Sequence, residues 1–138
     1  GCKVVVATNQ SCINKGIITA QQVDKIHELI QQAVHAAGGH IDKFYICPDN
    51  TSSPRRKPAP GMLLEALAEY NAIPGETPFI GDAYRDLQAA EAAGCIPILV
   101  QTGKGKLTIE ELPLSNSVIL QQTTVCEDLA DVVSYLLK

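Results

Sequence analysis

A doubly wound α/β domain, a parallel sheet between two layers of helices, is what this sequence predicts, and three observations predict it. Short β-branched and aliphatic runs alternate along the chain with stretches of helical periodicity. The 138 residues are 46% hydrophobic but only 4% aromatic, with no Trp, so the core is aliphatic, as buried parallel strands require. Three polar clusters follow apolar runs, Thr8–Ser11 after Lys3–Ala7, Arg55–Pro58 some way after Phe44–Cys47 and Gly81-Asp82 after Pro78–Ile80, which places them at the sheet edge where such folds bind ligands.

The elements follow in order. Lys3–Ala7 is a continuous apolar, β-branched run and reads as a buried strand. Thr19-Ala20-Gln21-Gln22 has the form of a capping box and opens a helix. Val23, Ile26, Ile30, Ala33, Val34 and Ala37 share one face of it, and Gly38-Gly39 end it. Phe44–Cys47 is a second strand, and the loop after it, to Ala59, carries Pro48, Pro54 and Pro58. A helix from about Gly61 to Tyr70 turns Leu63, Leu64 and Leu67 inward. A third strand at Pro78–Ile80, a helix over Asp86–Ala93 closed by Gly94, and a fourth strand at Ile96–Val100 come next. Thr108-Ile109-Glu110-Glu111 reads as a second capping box, Val118–Gln121 as a short fifth strand, and Glu127–Leu137 as the last helix. Strands alternating with helices imply right-handed crossovers and one domain over residues 1–138.

A net charge of −4, a pI near 5.3 and the absence of a basic stripe argue against a nucleic-acid partner. The basic cluster Arg55-Arg56-Lys57, set beside a proline-rich turn, suits a small phosphorylated ligand instead. Five widely spaced cysteines without a C-x-x-C pair imply reduced thiols and a cytoplasmic setting. No run of 18 apolar residues occurs, so no membrane partner is expected.

The polar clusters carry the candidate chemistry. Thr8-Asn9 ends the first strand, where a hydroxyl and free backbone N–H groups can hold phosphate oxygens; an ordinary polar turn has the same composition. Lys57 offers a compact ammonium to a phosphate, and Arg56 a fork for a second phosphate or a sugar hydroxyl; a solvated basic turn is the alternative. Gly81-Asp82, with Asp86 four residues on, puts two carboxylates at a strand end, enough to hold Mg²⁺ together with waters; helix N-capping by either Asp is the alternative. Cys47-Pro48-Asp49 has no second Cys or His within its loop, so zinc is not expected.

Taken in order, Val4–Ser11, Arg56–Met62 and Phe79–Asp86 resemble the later motifs of the haloacid dehalogenase superfamily, and most closely its heptose-bisphosphate and histidinol-phosphate phosphatases. The resemblance runs from Lys3 to the final helix. It implies that Thr8 and Asn9 bind the transferred phosphoryl group, that Lys57 is the catalytic cation beside a substrate-contacting Arg56, and that Asp82, supported by Asp86, holds Mg²⁺. It also implies an aspartyl-phosphate on the first Asp of an Asp-x-Asp motif. No Asp-x-Asp occurs in these residues, and its strand is expected to precede Gly1. The metal-binding Cys/His loop of many heptose phosphatases is shortened to Pro48–Pro54, and Ala83 stands where many relatives carry Lys.

By the same resemblance the missing first strand is central, between the strands at Lys3 and Pro78, and a homodimer or strand exchange would complete the sheet. The implied function is Mg²⁺-dependent hydrolysis of a phosphorylated sugar such as heptose 1,7-bisphosphate, with this chain alone inactive. A non-catalytic phosphate-binding pseudoenzyme or assembly subunit is the alternative. A nucleic-acid end-processing phosphatase, which would share the Thr-Asn-Gln and Lys-Pro segments, is disfavoured by the acidic balance and the lack of stacking aromatics.

Overall fold

The computed structural model describes residues 1–115 and 117–138. Its elements are β1 (Val5–Asn9), α1 (Ala20–Ala36), β2 (Lys43–Cys47), α2 (Gly61–Glu69), a 3-10 turn (Pro74–Glu76), β3 (Pro78–Gly81), α3 (Tyr84–Ala93), β4 (Ile96–Val100), α4 (Gly105–Ser115), α5 (Ser117–Gln122), β5 (Thr124–Cys126) and α6 (Leu129–Leu136). The strands form two parallel sheets, β1–β2 and β3–β4–β5. In register, Val5 faces Lys43, Pro78 faces Ile96 and Ile98 faces Thr124.

The period-2 alternation of strand side chains builds the layers. From β4, Leu99 joins Leu87, Leu112 and Ile119 of α3, α4 and α5 on one face. Ile98 and Val100 pack with Val132 of α6 on the other. Between the two sheets, Leu63 and Leu67 of α2 pack with Ala89, Ala90 and Ala93 of α3. Ala7 of β1 and Phe79 of β3 both rest against that cluster, so α2 and α3 tie the sheets together.

Helix α1 begins as its sequence implies. The Thr19 hydroxyl accepts from the Gln22 N–H at 3.1 Å, and the Gln22 side chain accepts from the Thr19 N–H at 2.8 Å. Its apolar face is covered less than the periodicity suggests. Val23 is buried, whereas Ile26 and Ile30 stay 46% and 41% exposed. Polar and aromatic contacts supplement that thin packing: the Gln31 amide pairs with both backbone groups of Ile41, and His27 stacks on Phe44.

Two expectations are corrected. Val118–Gln121 lies in α5 rather than in a strand, and the fifth strand is Thr124–Cys126. A short apolar run fits a buried helix segment as well as a strand. Here Ile119 fills the core over Leu99, while Thr124–Cys126 pairs with β4. Thr108 does not cap a helix either: α4 begins at Gly105 and Thr108 sits inside it, 4% exposed, with its hydroxyl turned to another use.

Among the described residues, no helix is long and apolar enough to cross a membrane.

The start of β1 is pinned by Asp42, which accepts the Val4 N–H at 2.8 Å and the Lys3 ammonium at 3.2 Å. The Val4 N–H, then Lys3, hold this carboxyl below the usual carboxylate range. A lowered folded-state value contributes stability above the unfolded-state value and loses it as pH falls through the folded one. Asp42→Asn is therefore expected to melt below the parent near neutral pH, with the gap closing on acidification through the carboxylate range. Circular dichroism melts across that range check it, and a gap independent of pH would refute it.

Candidate active site

Three strand ends supply the site. At the end of β1, the Thr8 hydroxyl oxygen accepts from the Gln10 side-chain amide at 3.0 Å, which leaves its own proton to donate. Asn9 follows, and both ends of its amide are engaged. Its Nδ2 donates to the Lys57 carbonyl and its Oδ1 accepts the Lys57 N–H, each at 3.1 Å. This two-point clasp ties β1 to the loop between β2 and α2, 48 residues away.

The Lys57 ammonium crosses to the first turn of α3. It donates to Asp86 Oδ1 at 2.7 Å, with the two side chains 11% and 7% exposed, and lies 5.6 Å from the Phe79 ring centroid. The second oxygen of Asp86 accepts the Ala83 N–H at 3.1 Å. Gly81 makes this geometry feasible, since a Cβ there would collide with the Asp86 carboxyl. Asp82 is half-buried beside it. Its Oδ2 accepts the Lys104 N–H at 2.8 Å and its backbone carbonyl accepts the Thr108 hydroxyl at 2.7 Å.

The three basic residues divide their work. Arg55 donates to Glu65 at 2.6 Å and to the Ile46 carbonyl at 2.7 Å, so it holds the loop against β2 and α2. Glu65, more than burial opposes, raises the Arg55 guanidinium above its ordinary value. Arg56 donates to the Asp49 carbonyl at 2.7 Å, and with Lys57 it lines an open cleft of about 410 Å³ that Asn50, Thr51, Ser52 and Ser53 complete. Cys47, fully buried, lies 3.6 Å from an Asp49 oxygen and 3.7 Å from the Ser53 hydroxyl. Among the described residues, no group of three or more His, Cys, Asp or Glu side chains could hold a metal ion.

Of the sequence-derived residues, direct contacts join Asn9, Lys57 and Asp86, Thr8 precedes Asn9 in β1, Asp82 follows β3, and Arg56 borders the cleft. Gln10, Thr108 and the Gly103-Lys104 turn also belong to the constellation and were not singled out by the sequence for it. For Mg²⁺ the donor set is asymmetric. Asp82 Oδ1 has no protein partner among the described residues, whereas both Asp86 oxygens are engaged. One free carboxylate oxygen fits an ion that commonly takes one or two carboxylates and fills its remaining positions with phosphate and water.

Parallel strands with polar side chains gathered beyond their ends define an α/β class, and comparison with known proteins specifies the family. A family model described as HAD-hydrolase-like matches residues 54–132. The D-glycero-β-D-manno-heptose-1,7-bisphosphate 7-phosphatase of Bordetella bronchiseptica is 39% identical over 98% of this chain and 74% of its own length. That of Neisseria meningitidis serogroup A is 39% identical over the whole chain and 73% of its own length. A crystal structure of the B. bronchiseptica D,D-heptose 1,7-bisphosphate phosphatase, complexed with magnesium and phosphate, superimposes with a TM-score of 0.90 over 98% of this chain and 74% of that one. The chain belongs to the HAD-like hydrolases.

Proposed function

We propose that this chain forms the greater part of a Mg²⁺-dependent phosphatase acting on a phosphorylated sugar, with heptose 1,7-bisphosphate as the leading substrate. The observation that carries the proposal is the run of contacts from Asn9 through Lys57 to Asp86, which joins an amide, a cation and a carboxylate between the end of β1 and the first turn of α3, with the Thr8 hydroxyl and the Asp82 carboxylate next to them along the chain. Similarity to a phosphatase crystallised with magnesium and phosphate supports the choice of chemistry.

In this reading the Thr8 hydroxyl holds a non-bridging oxygen of the reacting phosphoryl group, while the Gln10 N–H is committed to the Cys47 carbonyl at 2.8 Å. Lys57 lowers the repulsion between that group and an attacking carboxylate. Asp86 holds the Lys57 ammonium in place, and Asn9 fixes its backbone. Asp82 would hold Mg²⁺, which when bound neutralises phosphoryl charge, and Asp86 supports the site through Lys57 and the Ala83 N–H. Arg56 meets the second phosphate or a hydroxyl of the sugar. The attacking aspartate is an Asp-x-Asp residue outside these 138 residues. Its strand would lie between β1 and β3, which are edges of separate sheets here. A second copy of the chain could close that gap by strand exchange.

The test is phosphate release from heptose 1,7-bisphosphate and from an aryl phosphate, with and without Mg²⁺. It is run on this chain and on the chain preceded by the Asp-x-Asp segment of the B. bronchiseptica relative. The chain alone should be inactive and the extended protein should turn over only with Mg²⁺. An extended, folded protein that binds phosphate without turnover would instead favour a phosphate-binding pseudoenzyme.

A further inference from the structure

We infer that Thr108, with the Gly103-Lys104 turn, is a positioning device for Asp82 that sets the direction of its free carboxylate oxygen and so the Mg²⁺ affinity of the site; the inference rests on Asp82 being the metal ligand proposed above. Three contacts converge on this one residue from a segment more than 20 positions away in sequence. The Lys104 N–H takes Oδ2 at 2.8 Å, and the Thr108 hydroxyl takes the Asp82 backbone carbonyl at 2.7 Å. Gly103 lies against the same carboxylate with φ at +58°, and a Cβ there would collide with Oδ2.

The chemistry explains why each residue type is there. A hydroxyl buried at 4% exposure costs free energy unless bonded, and valine would fill the same volume without that cost. The Thr108 hydroxyl satisfies a carbonyl at the point where β3 has ended and α3 has not begun, which fixes the backbone of Asp82. With the carbonyl held by Thr108 and Oδ2 by the turn, the side chain cannot rotate freely. Oδ1 is the oxygen left for a cation. A ligand fixed before binding loses less entropy when the ion arrives.

The experiment is Mn²⁺ binding to the 138-residue chain, followed by electron paramagnetic resonance of free Mn²⁺, with Mg²⁺ as competitor. Thr108→Val, which keeps the volume and removes the hydroxyl, is expected to weaken Mg²⁺ about tenfold, whereas Thr108→Ser stays within about twofold of the parent. Gly103→Ala, reaching the same carboxylate from the other side, should weaken Mg²⁺ at least as much as Thr108→Val. Circular dichroism melts confirm that each variant is folded. Parental Mg²⁺ affinity in both Thr108→Val and Gly103→Ala, with binding lost in Asp82→Asn, would overturn the positioning role and leave the metal site standing. Binding unchanged in Asp82→Asn, or absent from the parent chain, would overturn the metal site and the positioning role together.

Discussion

Lys57→Met is expected to destabilise the fold by about 3 kcal/mol and to lower its melting midpoint by about 10 °C. The Lys57 ammonium and the Asp86 carboxylate are 2.7 Å apart and almost wholly removed from solvent. Taking away the cation leaves a buried carboxylate with only the Ala83 N–H to offset it. That is a far larger loss than at an exposed pair such as Lys25–Glu28, where about 0.5 kcal/mol is typical. Adding Asp86→Asn to Lys57→Met should recover more than half of the loss. The asparagine oxygen still accepts from Ala83, and no net charge stays buried. Denaturant unfolding of the parent, both single variants and the double variant measures the coupling. A cost below about 1 kcal/mol for Lys57→Met would mean that solvent screens the pair as it does on a surface.

The first four strand positions were legible because each is a short, mostly apolar run bounded by polar or turn-forming residues. Ile96–Val100 matches β4 to the residue, and Phe44–Cys47 misses β2 by Lys43 alone. The Thr19 capping box was legible because all its partners lie within three residues. Thr108 failed the same test. Thr-x-x-Glu has the same spacing, but the preceding turn already starts the helix at Gly105, and the hydroxyl finds a carbonyl 26 residues upstream. Val118–Gln121 failed for a related reason, since an apolar run of three carries no period long enough to separate helix from strand.

At the candidate site, residue types were readable and pairings were not. Asn9 looks like a phosphate ligand in sequence because it follows Thr8 at a strand end. In the structure its amide is occupied by the backbone of Lys57. The sequence assigns a ligand contact to Arg56 and no partner to Arg55; in the structure Glu65 holds Arg55 while Arg56 borders the cleft. Such side-chain-to-backbone bonds between distant segments leave no periodic trace. They depend on how α2 and α3 bring the two sheets together, and the apolar pattern fixes that packing only in outline.

In the phosphatase completed by an Asp-x-Asp segment, Asp82→Asn is expected to cut turnover about 100-fold or more, while Mg²⁺ in excess restores part of the loss. Asp86→Asn should also be slow, but added Mg²⁺ should not restore it. The two carboxylates differ in what they leave free. Asp82 keeps Oδ1 for an ion after the Lys104 N–H has taken Oδ2, so its variant has a weaker metal site that concentration can refill. Asp86 commits one oxygen to Lys57 and the other to Ala83, so its loss acts by releasing the lysine from the reacting phosphoryl group. A Mg²⁺ titration of turnover in both variants separates these roles. Equal rescue of the two would place both carboxylates on the metal, and the Lys57–Asp86 pair would then have to open as the ion binds.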